Sequence, residues 1–113
     1  MSEIIQLAER LGKAIAGSLQ AAALRTARAE MKKDTAAGDL LKQFREQADK
    51  IAGLEQDDKP VEVTDKHRLR ELQQKLAASP TFKKYTAAQV EYIDLMRKVN
   101  ATLDKQLSET EPE

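Results

Sequence analysis

Cysteine and tryptophan are absent from this chain of 113 residues, and histidine occurs once. Without cysteine there is no disulfide, no thiol nucleophile and no cysteine-ligated zinc or iron–sulfur site. A zinc site needs several ligands at set spacing, and the lone His67 cannot supply them. The di-iron site of a helical bundle needs two Glu-x-x-His motifs, and none is present. Glycine is sparse and scattered, at Gly12, Gly17, Gly38 and Gly53, so no phosphate-cradling loop exists. A charge of one sign is also missing: 19 basic and 19 acidic residues cancel. That argues against a strongly electrostatic nucleic-acid binder, which is normally basic overall. No apolar run approaches the roughly 20 residues of a membrane span, and no signal-peptide pattern opens the chain. A cytoplasmic protein is the expectation. The length suits one domain.

What is present favours helix. Alanine (17) and leucine (13) far outnumber valine (4) and isoleucine (5). The first pair are strong helix formers, while β-branched residues prefer strands. With 34% charged and 4% aromatic residues, the chain reads as all-helical with thin, alanine-lined contacts.

Periodicity divides the chain into five stretches. Ser2 is placed to cap a first helix, with Leu7, Leu11 and Ile15 at spacings of four on one face and Ile4 beside them. Gly17-Ser18 ends it and caps a second, Leu19 to about Lys33, with Leu24, Ala27 and Met31 in a narrow stripe. Asp34 caps a third helix, whose Ala37, Leu41, Phe44, Ala48 and Ile51 repeat in heptad fashion. Gly53 is a point where that helix could end early. The polar run from Glu55 to Val63 contains Pro60 and reads as the turn of a helical hairpin. Thr64 is the expected cap of a fourth helix carrying Leu69, Leu72 and Leu76. Ser79-Pro80 restarts the chain into a last helix, since proline suits a first helical position. Charge pairs four apart support these helices: Glu9–Lys13, Glu46–Lys50, Glu71–Lys75 and Asp94–Lys98.

The last helix has the most regular stripe: Phe82, Tyr85, Gln89, Tyr92, Met96, Val99 and Leu103. At 1.5 Å per residue the third helix spans about 34 Å and the last about 42 Å. Helices that long predict an all-α, elongated antiparallel hairpin or bundle of about five helices, two of them long. The expected organisation is one helical domain over 1–107, with coiled-coil-like packing, and a disordered acidic tail over 108–113. A thin core of this kind calls for cover from a second copy or a partner. Phe82, Tyr85, Tyr92, Met96, Val99 and Leu103 are the candidate packing seam, as internal core, as a self-association surface, or as both.

No residue of the chain is expected to be catalytic, cofactor-binding or metal-binding. His67 reads as a structural or solvated histidine, and Asp57-Asp58 as solvated turn residues. Serines and threonines fall mainly at caps. The zero charge is a cancellation of +3 over 1–33, −4 over 34–64, +4 over 65–107 and −3 over the tail. Lys66, Arg68, Arg70, Lys75, Lys83 and Lys84 concentrate positive charge, which admits a weak RNA or acidic-protein contact. The competing reading is a solvated face that pairs with the acidic third helix or its mate in a dimer.

The runs Ala14-Ile15-Ala16-Gly17-Ser18, Asp39-Leu40-Leu41-Lys42-Gln43-Phe44-Arg45 and Leu72-Gln73-Gln74-Lys75-Leu76, a Lys-Pro turn, and a final helix with Tyr92, Leu95 and Val99 give the chain a resemblance. It resembles the YlbF/YmcA family of small helical bacterial proteins over roughly residues 5 to 107. The resemblance implies an all-α fold with a long hairpin, dimeric or complexed with relatives. It implies a regulatory role in competence, sporulation and biofilm formation, as an accessory factor directing an endoribonuclease in mRNA processing. Some members carry cysteines that help bind an iron–sulfur cluster in a three-protein complex; with no cysteine, this chain looks more like the cysteine-free members. The expectation is therefore a non-enzymatic regulatory adaptor, without cofactor or small-molecule substrate. It would be a homodimer or higher oligomer, with family relatives or an endoribonuclease complex as partners. The alternatives are an RNA-binding accessory protein using residues 66–84, or a helical chaperone-like protein.

Overall fold

The start and stop signals place the helices almost where periodicity expects them. In a computed structural model describing residues 2–110, the helices are α1 Glu3–Ala16, α2 Leu19–Lys33, α3 Thr35–Gln56, α4 Val63–Ala78 and α5 Pro80–Thr110. No strand occurs among the described residues, so the fold is all-α. Ser18 performs both of its expected jobs: its hydroxyl donates to Ile15 O at 2.6 Å and accepts from the Ala21 N–H at 3.1 Å. Arg25 adds a donor at the same junction, reaching Ala16 O at 3.0 Å. Asp34 accepts from the Ala37 N–H at 3.0 Å, and Ser79 accepts from the Phe82 N–H at 3.2 Å. The bonds from the Ala21, Ala37 and Phe82 N–H groups each satisfy an orphan donor in a first helical turn, and those to Ile15 O and Ala16 O satisfy carbonyls at the end of α1.

Three local expectations are corrected. Ser2 occupies the cap position of α1, but its side chain makes no capping bond. Thr64 lies inside α4; the cap position belongs to Glu62, whose backbone N–H donates to Asp65 Oδ2 at 3.3 Å. Asp65, three residues on, is the returning half of a capping box: it takes the N–H of the cap residue itself. Helix α5 runs through Ser108, Glu109 and Thr110, past the boundary set at residue 107. Ser108 Oγ donates to Asp104 O at 2.8 Å inside this last stretch. Residues 111–113, the rest of the expected tail, lie outside the described residues.

Gly53 does not stop α3. The helix closes three residues later with Asp58 in the left-handed region, at φ 54°. The Asp58 N–H reaches Glu55 O at 3.2 Å, and the Lys59 N–H reaches Leu54 O at 2.8 Å. This pair of reversed bonds is a Schellman closure, with aspartate where glycine is usual.

The chain packs as two units, Met1–Ala27 with Thr86–Glu113, and Arg28–Tyr85. In the first, Ala21, Leu24 and Ala27 of α2 and Ala88 of α5 are buried. In the second, the buried apolar residues are Ala37 of α3 and Leu72 and Leu76 of α4, with Leu72 only 1% exposed. Here α3 and α4 form the expected antiparallel hairpin. Lys50 meets Asp65 close to the turn, and Gln43 meets Arg68 farther from it.

Candidate interaction surface

Helix α5 carries the seam. Its 31 residues extend about 46 Å at 1.5 Å per residue. Phe82 and Tyr85 lie in the second unit, and Tyr92, Met96, Val99 and Leu103 in the first. The first five are half-buried; Leu103 is 47% exposed. Tyr92 and Met96 border an open hollow of about 570 Å³ together with Arg97 and Asn100 of the same helix. Val99 and Leu103 share a smaller groove of about 260 Å³ with Lys98, Thr102 and Leu11 of α1.

Helix α1 contributes no buried residue. Its apolar face is exposed in a gradient: Ile4 76%, Leu7 53%, Leu11 37%, and Ile15 half-buried. A strongly amphipathic helix that leaves its apolar face open is a better candidate for an interaction surface than an isolated exposed leucine. Periodicity placed these residues on one face; their lack of cover is visible only in the structure.

Two carboxylates hold the second unit together. Asp65 is a buried charged residue at 8% exposure. Its Oδ1 accepts from Lys50 Nζ at 2.9 Å, and its carbonyl accepts from Gln47 Nε2 at 3.0 Å. The Lys50 ammonium, aided by the Glu62 N–H, holds the Asp65 carboxyl below the usual aspartate value despite burial. Asp34 is lowered chiefly by the Ala37 N–H and then by the Thr81 hydroxyl, which donates to Oδ2 at 2.7 Å. The α3 cap is thus tied to the first turn of α5. Periodicity paired Lys50 with Glu46; in the fold Lys50 reaches across to Asp65, and Glu46 forms no ion pair among the described residues. Glu9–Lys13 is likewise unformed there. Lys75–Glu71 at 3.0 Å and Lys98–Asp94 at 3.1 Å form as expected, and Lys75 lowers the Glu71 carboxyl.

The basic segment is solvent-facing. Lys66, Arg68, Arg70, Lys75, Lys83 and Lys84 are all exposed, as is His67. Arg68 donates to Gln43 Oε1 at 2.9 Å and lies 4.0 Å from Glu71. The ion pair joining α3 to α4 runs from a base on α3 to an acid on α4, the reverse of a basic α4 pairing with an acidic α3.

The match to known families decides the relationship. A family model described as "Control of competence regulator ComK, YlbF/YmcA" matches residues 4–108. The chain belongs to the YlbF/YmcA family. That description is of a regulatory family, named for control of the competence regulator ComK. Neither a curated protein nor a solved structure matches the chain. An iron–sulfur cluster does not fit this YlbF/YmcA member: it has no cysteine, and no group of three His, Asp or Glu among its described residues is placed to hold a metal. No helix of the described residues is long and apolar enough to cross a membrane.

Proposed function

We propose that this YlbF/YmcA protein is a non-enzymatic regulatory adaptor of the bacterial cytoplasm, acting through protein–protein contact. The observation that carries the reading is the open apolar face of α1 beside the exposed end of the α5 seam. Long helices present extended apolar surfaces to partner helices, and rim charges set which partner is accepted. Family membership supports a regulatory role, with endoribonuclease-dependent mRNA processing as the process it serves. A homo-oligomer is the working state of this reading, with family relatives or an endoribonuclease complex as its partners.

The test is affinity capture from the native host with wild type, Tyr92→Asp and Leu103→Asp. The expected result is a defined partner set retained by wild type and lost with Leu103→Asp, whose circular dichroism stays helical. Tyr92 is half-buried, so Tyr92→Asp should lower both capture and melting temperature. Equal capture by all three proteins would remove α5 from the surface.

A second reading, RNA contact through the basic segment, draws on Lys66 and Arg70, exposed and four apart on α4. It requires binding that falls steeply with salt. No retention of single-stranded RNA at low salt in a filter assay would end it.

A further inference from the structure

The face of α1 has an arrangement that names its occupant. Glu3, Ile4, Leu7, Arg10 and Leu11 form one strip at helical spacing, and all are exposed. The strip is nearly symmetric about Leu7. Ile4 precedes Leu7 by three and Leu11 follows by four; Glu3 precedes it by four and Arg10 follows by three. A second copy of the same helix, laid antiparallel with Leu7 at the crossing, therefore sets Ile4 against the mate's Leu11. It also sets Glu3 against the mate's Arg10, and two-fold symmetry makes each contact twice. Neither Glu3 nor Arg10 forms an ion pair among the described residues.

From this we infer that α1 is the self-association element, pairing antiparallel with α1 of a second copy about a two-fold axis at Leu7. The inference rests on the proposed adaptor function and specifies its partner. Helix length points the same way. An isolated helix of about 12–15 residues is marginal in water and needs packing to persist. Helix α1 has 14 residues, none buried, and the chain covers its apolar face only toward Leu11 and Ile15. Ile4, Leu7 and Leu11 stand 76%, 53% and 37% exposed, a contiguous apolar strip of the kind that a partner covers. The chain's zero net charge leaves no long-range repulsion between copies.

The experiment uses the full chain in sedimentation equilibrium and cysteine cross-linking. Wild type should show twice the 12.6 kDa chain mass at micromolar concentrations. Leu7→Asp should shift the mass to one chain while circular dichroism stays helical. Glu3→Arg and Arg10→Glu should each raise the dimer dissociation constant about tenfold by turning two attractions into repulsions. The double variant should return close to wild type. Because the chain has no cysteine, Leu7→Cys introduces a unique thiol, which should link two copies on mild oxidation; Arg70→Cys on α4 should not. A monomeric wild type at a hundred micromolar, an unchanged mass for Leu7→Asp, or no recovery in the double variant overturns the pairing. A monomer that still captures host partners would defeat the pairing and leave the adaptor reading intact; a dimer that captures none would do the reverse.

Discussion

Asp65 shows how one side chain can join a helix start to a hairpin. Its carboxylate takes the Glu62 N–H at the head of α4 and the Lys50 ammonium from α3. A carboxylate held below its ordinary value stabilises the fold fully above that value, and the contribution is lost as pH falls through the lowered one. Stability should therefore be level through neutral pH and decline below the ordinary aspartate value of 3.8. Asp65→Asn should melt lower at pH 7 and show a shallower acid limb; superimposable limbs in calorimetry from pH 7 to 2 would remove Asp65 from this role. Leu72 makes the opposite kind of contribution, apolar and almost fully enclosed. Leu72→Ala should cost about 2–5 kcal/mol, read by urea unfolding, because the cavity adds to the lost transfer energy. Asp58 occupies a conformation that disfavours side chains. Asp58→Gly should stabilise by about 0.5–1 kcal/mol, the relief of that strain less the entropy of the added glycine; a lower denaturation midpoint would contradict it.

Among the helices, α3 and α4 are held by side chains that cross between them, whereas α1 has an amphipathic pattern and little to meet. Gly12 in α1 and Gly53 in α3 both face open space where a Cβ would stand. Neither needs the left-handed freedom of glycine. Gly12→Ala and Gly53→Ala should each stabilise by about 0.4–1 kcal/mol, through a less disordered unfolded chain and better helix propensity. A melting temperature that falls for either would show that something packs there. The helix ends were legible because Ser18, Asp34 and Ser79 are strong caps read from neighbours in sequence. The start of α4 differs from expectation because Glu62, two residues before Thr64, takes the cap position with Asp65 as its capping-box partner.

At the scale of the molecule, a neutral chain leaves apolar surface open on α1 and at the end of α5. Association that buries it should couple to stability by mass action. The melting temperature should rise with protein concentration for wild type and become independent of it for Leu7→Asp. A concentration-independent wild type would remove that coupling. Within the second unit, Arg68 and Lys75 bond to Gln43 and Glu71.

By itself the sequence determined the helices, most of their caps, the α3–α4 hairpin and the family, since these depend on periodicity and on groups a few residues apart. It also determined the absence of cysteine chemistry, which is a matter of composition. Tertiary structure alone decided that Lys50 serves Asp65 rather than Glu46 and that Thr81 ties to Asp34. It also decided that the apolar face of α1 stays open while that of α5 is half covered. Those outcomes depend on which faces meet in space, and a helical repeat specifies a face without specifying what lies against it.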